Sequence, residues 1–168
     1  GGTLIVEAVH DSHMITINGY LTGLEPGLPG GWHIHVGFTC TTSDPATDIG
    51  GHYFPGMETD PWTSVTYPAA DAQGVAPIAA SIAGFSLTGG NPVLGRAVVV
   101  HNAADDRVGC GLITPLAGAV ANFGTYPGYG GSSTVRGLIA VSTTDTGGLR
   151  YQGTLTGLMA SASGGWHV

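Results

Sequence analysis

Apolar residues gather in short runs along most of this chain, and almost nowhere do they recur at helical spacing. "TLIVEAV" (3–9), "MITINGYLTGL" (14–24), "GVAPIAASIAGFSL" (74–87) and "GRAVVVHN" (95–102) are rich in apolar and β-branched residues. Between such stretches stand Gly, Pro, Asn and Asp clusters: "LEPGLPGG", "TGGNP" and "YPGYGGSS". Many short strands with this punctuation predict an all-β fold, an antiparallel sandwich or barrel. The stretch "GGWHIHVGFTC" (30–40) has the same character. As a strand it sends Trp32, Ile34 and Val36 to one face and His33 and His35 to the other. Two imidazoles side by side on a rigid strand can grip one metal ion. Ordinary surface histidines satisfy the same pattern, and the spacing alone does not choose.

An internal repeat changes the picture. "LIVEAVHDSHMITINGYLTGLEPGLPGGWHI" (4–34) aligns without a gap with "LIAVSTTDTGGLRYQGTLTGLMASASGGWHV" (138–168). The anchors are Leu4 with Leu138, Ile5 with Ile139, Asp11 with Asp145, Gly19 with Gly153, the two LTGL runs and the two GGWH runs, all 134 positions apart. The chain therefore reads as one full repeat over 1–134 and the opening strands of another over 135–168, drawn from a longer tandem protein. It stops one step short of a second His-x-His, so His167 is expected to be an orphan.

Composition narrows the partners. The chain has 168 residues, enough for one domain with a core, and a formal charge of −7. Its only basic side chains besides histidine are Arg96, Arg107, Arg136 and Arg150. No basic stripe exists to neutralise phosphates, so nucleic acid is not an expected partner. No apolar run reaches the length of a membrane span. The two cysteines, Cys40 and Cys110, make no CxxC. Two buried thiols and a single disulfide are both compatible with them.

Seven histidines occur. Besides the His-x-His pair, His52 lies in "GGHYFPG" and His101 ends "GRAVVVH". One histidine at a strand end is usually a hydrogen-bonded or exposed residue. Four in three separate segments of a repeat with few other polar groups shift the balance toward a metal site. His10 and His13, in "VHDSHM", read as solvent-exposed turn residues.

Taken in order, "GGWHIHVG", a cysteine, "GGHYFP" and "LGRAVVVHNAADDRVGCGLI" resemble the copper/zinc superoxide dismutases over residues 3 to about 115. The resemblance implies an eight-stranded Greek-key β-barrel. It also implies copper ligands at His33, His35, His52 and His101, a disulfide between Cys40 and Cys110, and an arginine facing the superoxide anion at Arg107. Arg96 is expected to have a structural role at a strand start. The departures are informative. Nothing from Tyr53 to Val100 is a histidine, so the three-histidine zinc site that the family resemblance implies cannot be built there. Glu58 or Asp60 is expected to hydrogen-bond His52 where zinc would sit. Only "NAADD" separates His101 from Arg107, so the long charged loop of the zinc enzymes is missing. The pattern is most similar to the copper-only superoxide dismutase repeat proteins. It implies one copper per repeat, no zinc, and dismutation of superoxide to oxygen and hydrogen peroxide, with His52 as the mobile ligand. The rival reading is a copper-binding or structural repeat module with little turnover.

The family's first strand has no counterpart before Thr3. Residues 119–128, "AVANFGTYPG", are the candidate to return and fill that slot, which leaves 135–168 to pack on the barrel or exchange strands with another molecule. The implied partners are superoxide and neighbouring repeats of the same chain. The implied disulfide points to an extracellular or cell-surface location.

Overall fold

The structure, a computed structural model, describes residues 1–116, 118–124, 126–131, 135–159 and 161–167. The chain divides into two compact units, Gly1–Leu116 and Ala117–Val168. Residues 125, 160 and 168, which fall within the segments 119–128 and 135–168 singled out above, lie outside the described residues.

The first unit contains β1 (Gly2–Ala8), β2 (Met14–Thr22), β3 (Gly30–Ile34), α1 (Pro45–Asp48), β4 (Thr66–Tyr67), β5 (Val75–Ala83), β6 (Ala97–His101) and β7 (Arg107–Leu112). One sheet has the order β1-β2-β5 and the other β4-β3-β6-β7, and all pairings within them are antiparallel. Alternation builds the first sheet. Ile15, Ile17, Gly19 and Leu21 of β2 are buried, while Asn18 between them is exposed. Pro77 lies within β5, which is tolerated because β5 is an edge strand and an edge residue need not donate. Between the sheets Ile15, Ile17, Trp32, Ile34, Trp62, Ile78, Phe85, Val93 and Val98 make one apolar core.

The expected all-β character holds, while closure into the expected eight-stranded barrel is not seen among the described residues. The first unit has seven strands in two sheets, and among the described residues no ladder joins β1 to β7. Regular pairing of the His-x-His segment also stops at Ile34, and His35 makes only an isolated bridge to His52. Val36 consequently leaves the face of Trp32 and Ile34 and is exposed. Residues 35–37 run instead between the 49–53 loop and Ala97: His35 N–H donates to Ala97 O, Val36 N–H to Gly51 O and Gly37 N–H to Ile49 O. Gly37 is required there, because a Cβ on it would overlap the backbone of Asp48 and Ile49.

The second unit contains β8 (Gly118–Phe123), β9 (Arg136–Thr143) and β10 (Leu149–Thr156) in the order β10-β9-β8. The strand expected to complete the first barrel is hydrogen-bonded to β9 here, from Gly118 opposite Ser142 to Phe123 opposite Gly137. The β9–β10 hairpin is the repeat copy of β1–β2, yet the two differ in register by one residue. Leu4 faces Gly19 in the first copy, whereas Ile139 faces Gly153 in the second. The turns explain the slip. Thr144 and Gly148 close a three-residue loop with Gly147 at φ 80°, a left-handed position that glycine fills without strain. The residue aligned with Gly147 is His13, and the first hairpin uses a four-residue loop between Val9 and Met14 with Asp11 at φ 55°. Loop length sets register. Among the described residues no helix is long and apolar enough to cross a membrane.

Candidate metal centre

His33 pairs with Val99 across β3 and β6, which places it one step along the same sheet face from His101. Trp32 and Ile34, on the opposite face, enter the core. The 35–53 loop folds over the histidine face, where Ile49 packs on Ala97 and Val99 with Cys40 against them. His35 follows at the end of β3, and its bridge to His52 brings in the fourth imidazole. His33, His35 and His101 are buried and His52 is half-buried. One nitrogen from each of the four lies within 4.8 Å of the others. Ring centroids are 4.2 Å apart for His33 and His52 and 4.9 Å for His33 and His101.

The hydrogen bonds decide which nitrogen each ring presents. His35 Nδ1–H donates to Gly50 O at 2.8 Å, and His101 Nδ1–H to Asp105 O at 3.1 Å. His52 Nδ1–H donates to Asp60 Oδ2 at 2.6 Å. Carbonyls and carboxylates only accept, so these three rings carry their proton on Nδ1 and offer the Nε2 lone pair inward. His33 is reversed: the Val65 carbonyl lies on the ring, and Nδ1 faces inward. Three of the converging nitrogens, His33 Nδ1, His35 Nε2 and His101 Nε2, are buried without any hydrogen-bond partner. Orphaned buried polar atoms are costly, and three at one point are what a metal ion would satisfy. Four imidazoles form a donor set suited to copper or zinc.

Electrostatics keeps two of the four rings unprotonated. Burial lowers the pKa of His33 to about 4, with the neighbouring His52, His101 and His35 adding to it. Burial likewise lowers His35 to about 4; its bond to Gly50 opposes the shift, and Arg107, His52 and His101 reinforce it. At neutral pH both rings are neutral, the form that binds metal.

Of the two carboxylates expected near His52, the contact is made by Asp60, whose Oδ1 also accepts from Trp62 N–H at 2.8 Å. Glu58 is exposed. Cys40 and Cys110 form a disulfide with a Cα–Cα distance of 5.7 Å. Arg107, at the start of β7, donates to Pro45 O at 3.3 Å and to Gly50 O at 2.8 Å. Gly50 O is the carbonyl that also orients His35, so the guanidinium is fixed beside that ring. Arg96, just before β6, donates to Pro92 O and Val36 O and lies 3.4 Å from the centroid of the Tyr53 ring. It braces the segment after His35. His10, His13 and His167 are exposed and lie outside the cluster, with His10 paired to Asp11 at 2.8 Å.

Sequence patterns did not single out the supporting shell of Gly50, Val65, Tyr67 and Asp105. Gly50 and Val65 act through carbonyls that any residue carries. Tyr67 donates its buried hydroxyl to His101 O at 2.9 Å across 34 positions of sequence. Burial raises its pKa, helped by Glu25, so the hydroxyl keeps its proton and donates.

A family profile described as copper/zinc superoxide dismutase matches residues 1–124. The chain is 33% identical over 111 residues to superoxide dismutase (Cu-Zn) 2 of Mesembryanthemum crystallinum, covering 60% of this chain and 69% of that protein. It is 30% identical over 138 residues to the extracellular superoxide dismutase (Cu-Zn) of Haemonchus contortus, covering 65% of this chain and 72% of that protein.

Proposed function

The chain belongs to the copper/zinc superoxide dismutase family, and from that premise we propose that it dismutes superoxide at a single copper held by His33, His35, His52 and His101, without zinc. The observation that carries this reading is the convergence of three partnerless buried imidazole nitrogens with His52 beside them. The zinc-free part is supported by the carboxylate of Asp60 on His52 Nδ1 and by the lack of any histidine from Tyr53 to Val100.

Copper, when bound, supplies the one-electron change that takes an electron from one superoxide and gives one to the next, two protons completing the peroxide. The chain's own groups do the rest. His33, His35 and His101 hold the donor geometry from a sheet face and one strand end. His52 sits on a loop, and its Nε2 is the atom that carries a proton when it is not engaged. Asp60 accepts from Nδ1–H and stabilises the imidazolium that results. Arg107 gives an anion a fixed positive target on a chain of net charge −7.

An extracellular or cell-surface location is supported by the disulfide and by the name of the Haemonchus contortus relative. The 134-residue repeat supports a parent tandem array with one copper per repeat, whose partners include neighbouring repeats and strands exchanged between copies.

Copper titration of the purified chain, with superoxide consumption assayed at each step, tests the proposal. Activity saturating at one copper per chain without zinc, and lost in His52→Ala, is the expected result. Stoichiometric copper without turnover above free copper would leave a copper-binding module instead, and absence of tight copper binding would overturn both readings.

A further inference from the structure

The segment Asp60–Tyr67 touches three of the four histidines. Asp60 holds the His52 ring, the Val65 carbonyl faces the His33 ring, and the Tyr67 hydroxyl reaches His101. The last contact differs in kind, because it grips main chain. Resting on the copper reading above, the geometry points to Tyr67 as a positioning residue that fixes where His101 presents Nε2.

His101 needs such a device. The β3–β6 pairing ends one residue before it, at Trp32 opposite Val100. The β6–β7 register slips at the same place: Val100 faces Gly109, and His101 faces Arg107. The ladder that fixes Val98 and Val99 on both sides is therefore irregular at the ligand. The His101 ring is tied on its outer nitrogen to Asp105, a residue of the exposed loop with φ 67°. The buried anchor is the Tyr67 hydroxyl, on a residue only 2% exposed. Gly30 packs directly beneath it, and a Cβ there would overlap both the His101 carbonyl and the tyrosine oxygen. Tyr67 is itself held by β4, whose two residues pair with Gly30 and Gly31. The hydroxyl, the carbonyl and the glycine thus form a lock across β3, β4 and β6, on the strand that also carries His33.

Tyr67→Phe keeps the ring in the core and removes only the donor. Wild type, Tyr67→Phe and a control, Tyr20→Phe, are loaded with one Cu(II) and examined by electron paramagnetic resonance and by competition for copper. The apo proteins are examined by nitrogen-15 NMR of the His101 ring. The proposal expects Tyr67→Phe to fold, to bind copper about ten-fold more weakly, to change the Cu(II) hyperfine splitting, and to shift the apo His101 ring resonances; Tyr20→Phe should do none of these. A purely structural tyrosine would lower the melting temperature and leave spectrum, affinity and ring resonances as in wild type, and that result overturns the proposal. If Tyr67→Phe does not fold, Gly30→Ala, which pushes on the same contact, must show the same spectral changes, and an unchanged spectrum overturns it. If the wild-type chain binds no copper, the copper reading fails, and the apo resonances still decide for or against Tyr67.

Discussion

Replacing Cys40 and Cys110 together by serine opens a loop whose ends are 70 residues apart. On chain entropy alone, closing such a loop removes about 4 kcal/mol of freedom from the unfolded chain. The structure adds that few other contacts do the same work. Cys40 packs on the small cluster of Ile49, Ala97 and Val99, away from the main core. The Arg107 bonds to Pro45 O and Gly50 O span the same joint from an exposed side chain, and each is worth roughly 1 kcal/mol net at best. Without the bridge, the 35–53 loop keeps little to hold it on β7. Urea unfolding read by tryptophan fluorescence reports this unit selectively, because Trp32 and Trp62 are fully buried in it while Trp166 is exposed in the other unit. The expected result for the metal-free chain is a loss of about 4 kcal/mol, a midpoint lower by about 2 M urea. A loss below about 1 kcal/mol would refute the reasoning and mean that the loop is fixed by its side-chain contacts.

Acidification should destabilise the metal-free chain. His33 and His35 titrate near 4 when folded and near 6.5 when unfolded, so only the unfolded state takes up their protons in between. Their contribution is intact above pH 6.5 and falls as pH drops toward 4, by up to about 3 kcal/mol for each ring; urea midpoints that stay flat across that window would contradict it. Asp60→Asn should weaken copper binding about ten-fold or more, measured by competition, because the carboxylate no longer charges the Nδ1–H bond of His52. Arg107→Ala should leave copper stoichiometry unchanged, lower the rate at low salt and flatten its dependence on ionic strength, as stopped-flow assays at several salt concentrations would show.

Most strands were legible because alternation and turn residues were unambiguous. β2 follows "MITINGYLT", and β5 sits inside "GVAPIAASIAGFSL". The four clustered histidines were legible because imidazoles are chemically distinctive, although the spacing of His33 and His35 alone did not separate a site from a surface. What escaped were features made by tertiary proximity. The two-residue β4 and the four-residue α1 are too short to leave a periodicity. The choice between Glu58 and Asp60 depends on how the loop after His52 folds back. Barrel closure was read from a likeness, and the ladders leave β1 and β7 as sheet ends. The one-residue slip between the repeated hairpins turns on a single glycine against histidine in a loop, a difference that a gapless alignment conceals.

That slip bears on how each copy tolerates a change of register. In the first hairpin, Leu4 and Val6 share a face with Ile15, Ile17 and Leu21 because the loop has four residues. A first hairpin closed like the second, with His10 opposite Met14 around three residues, would set Ile5 opposite Gly19 and Glu7 opposite Ile17 and bring a carboxylate toward the core. In the second hairpin β9 is apolar from Leu138 to Val141, so either parity presents apolar side chains to β10. Homologous stretches of one polypeptide thus differ in how firmly they hold their register, tightly where Glu7 marks the outward face and loosely where residues 138–141 are apolar on both faces.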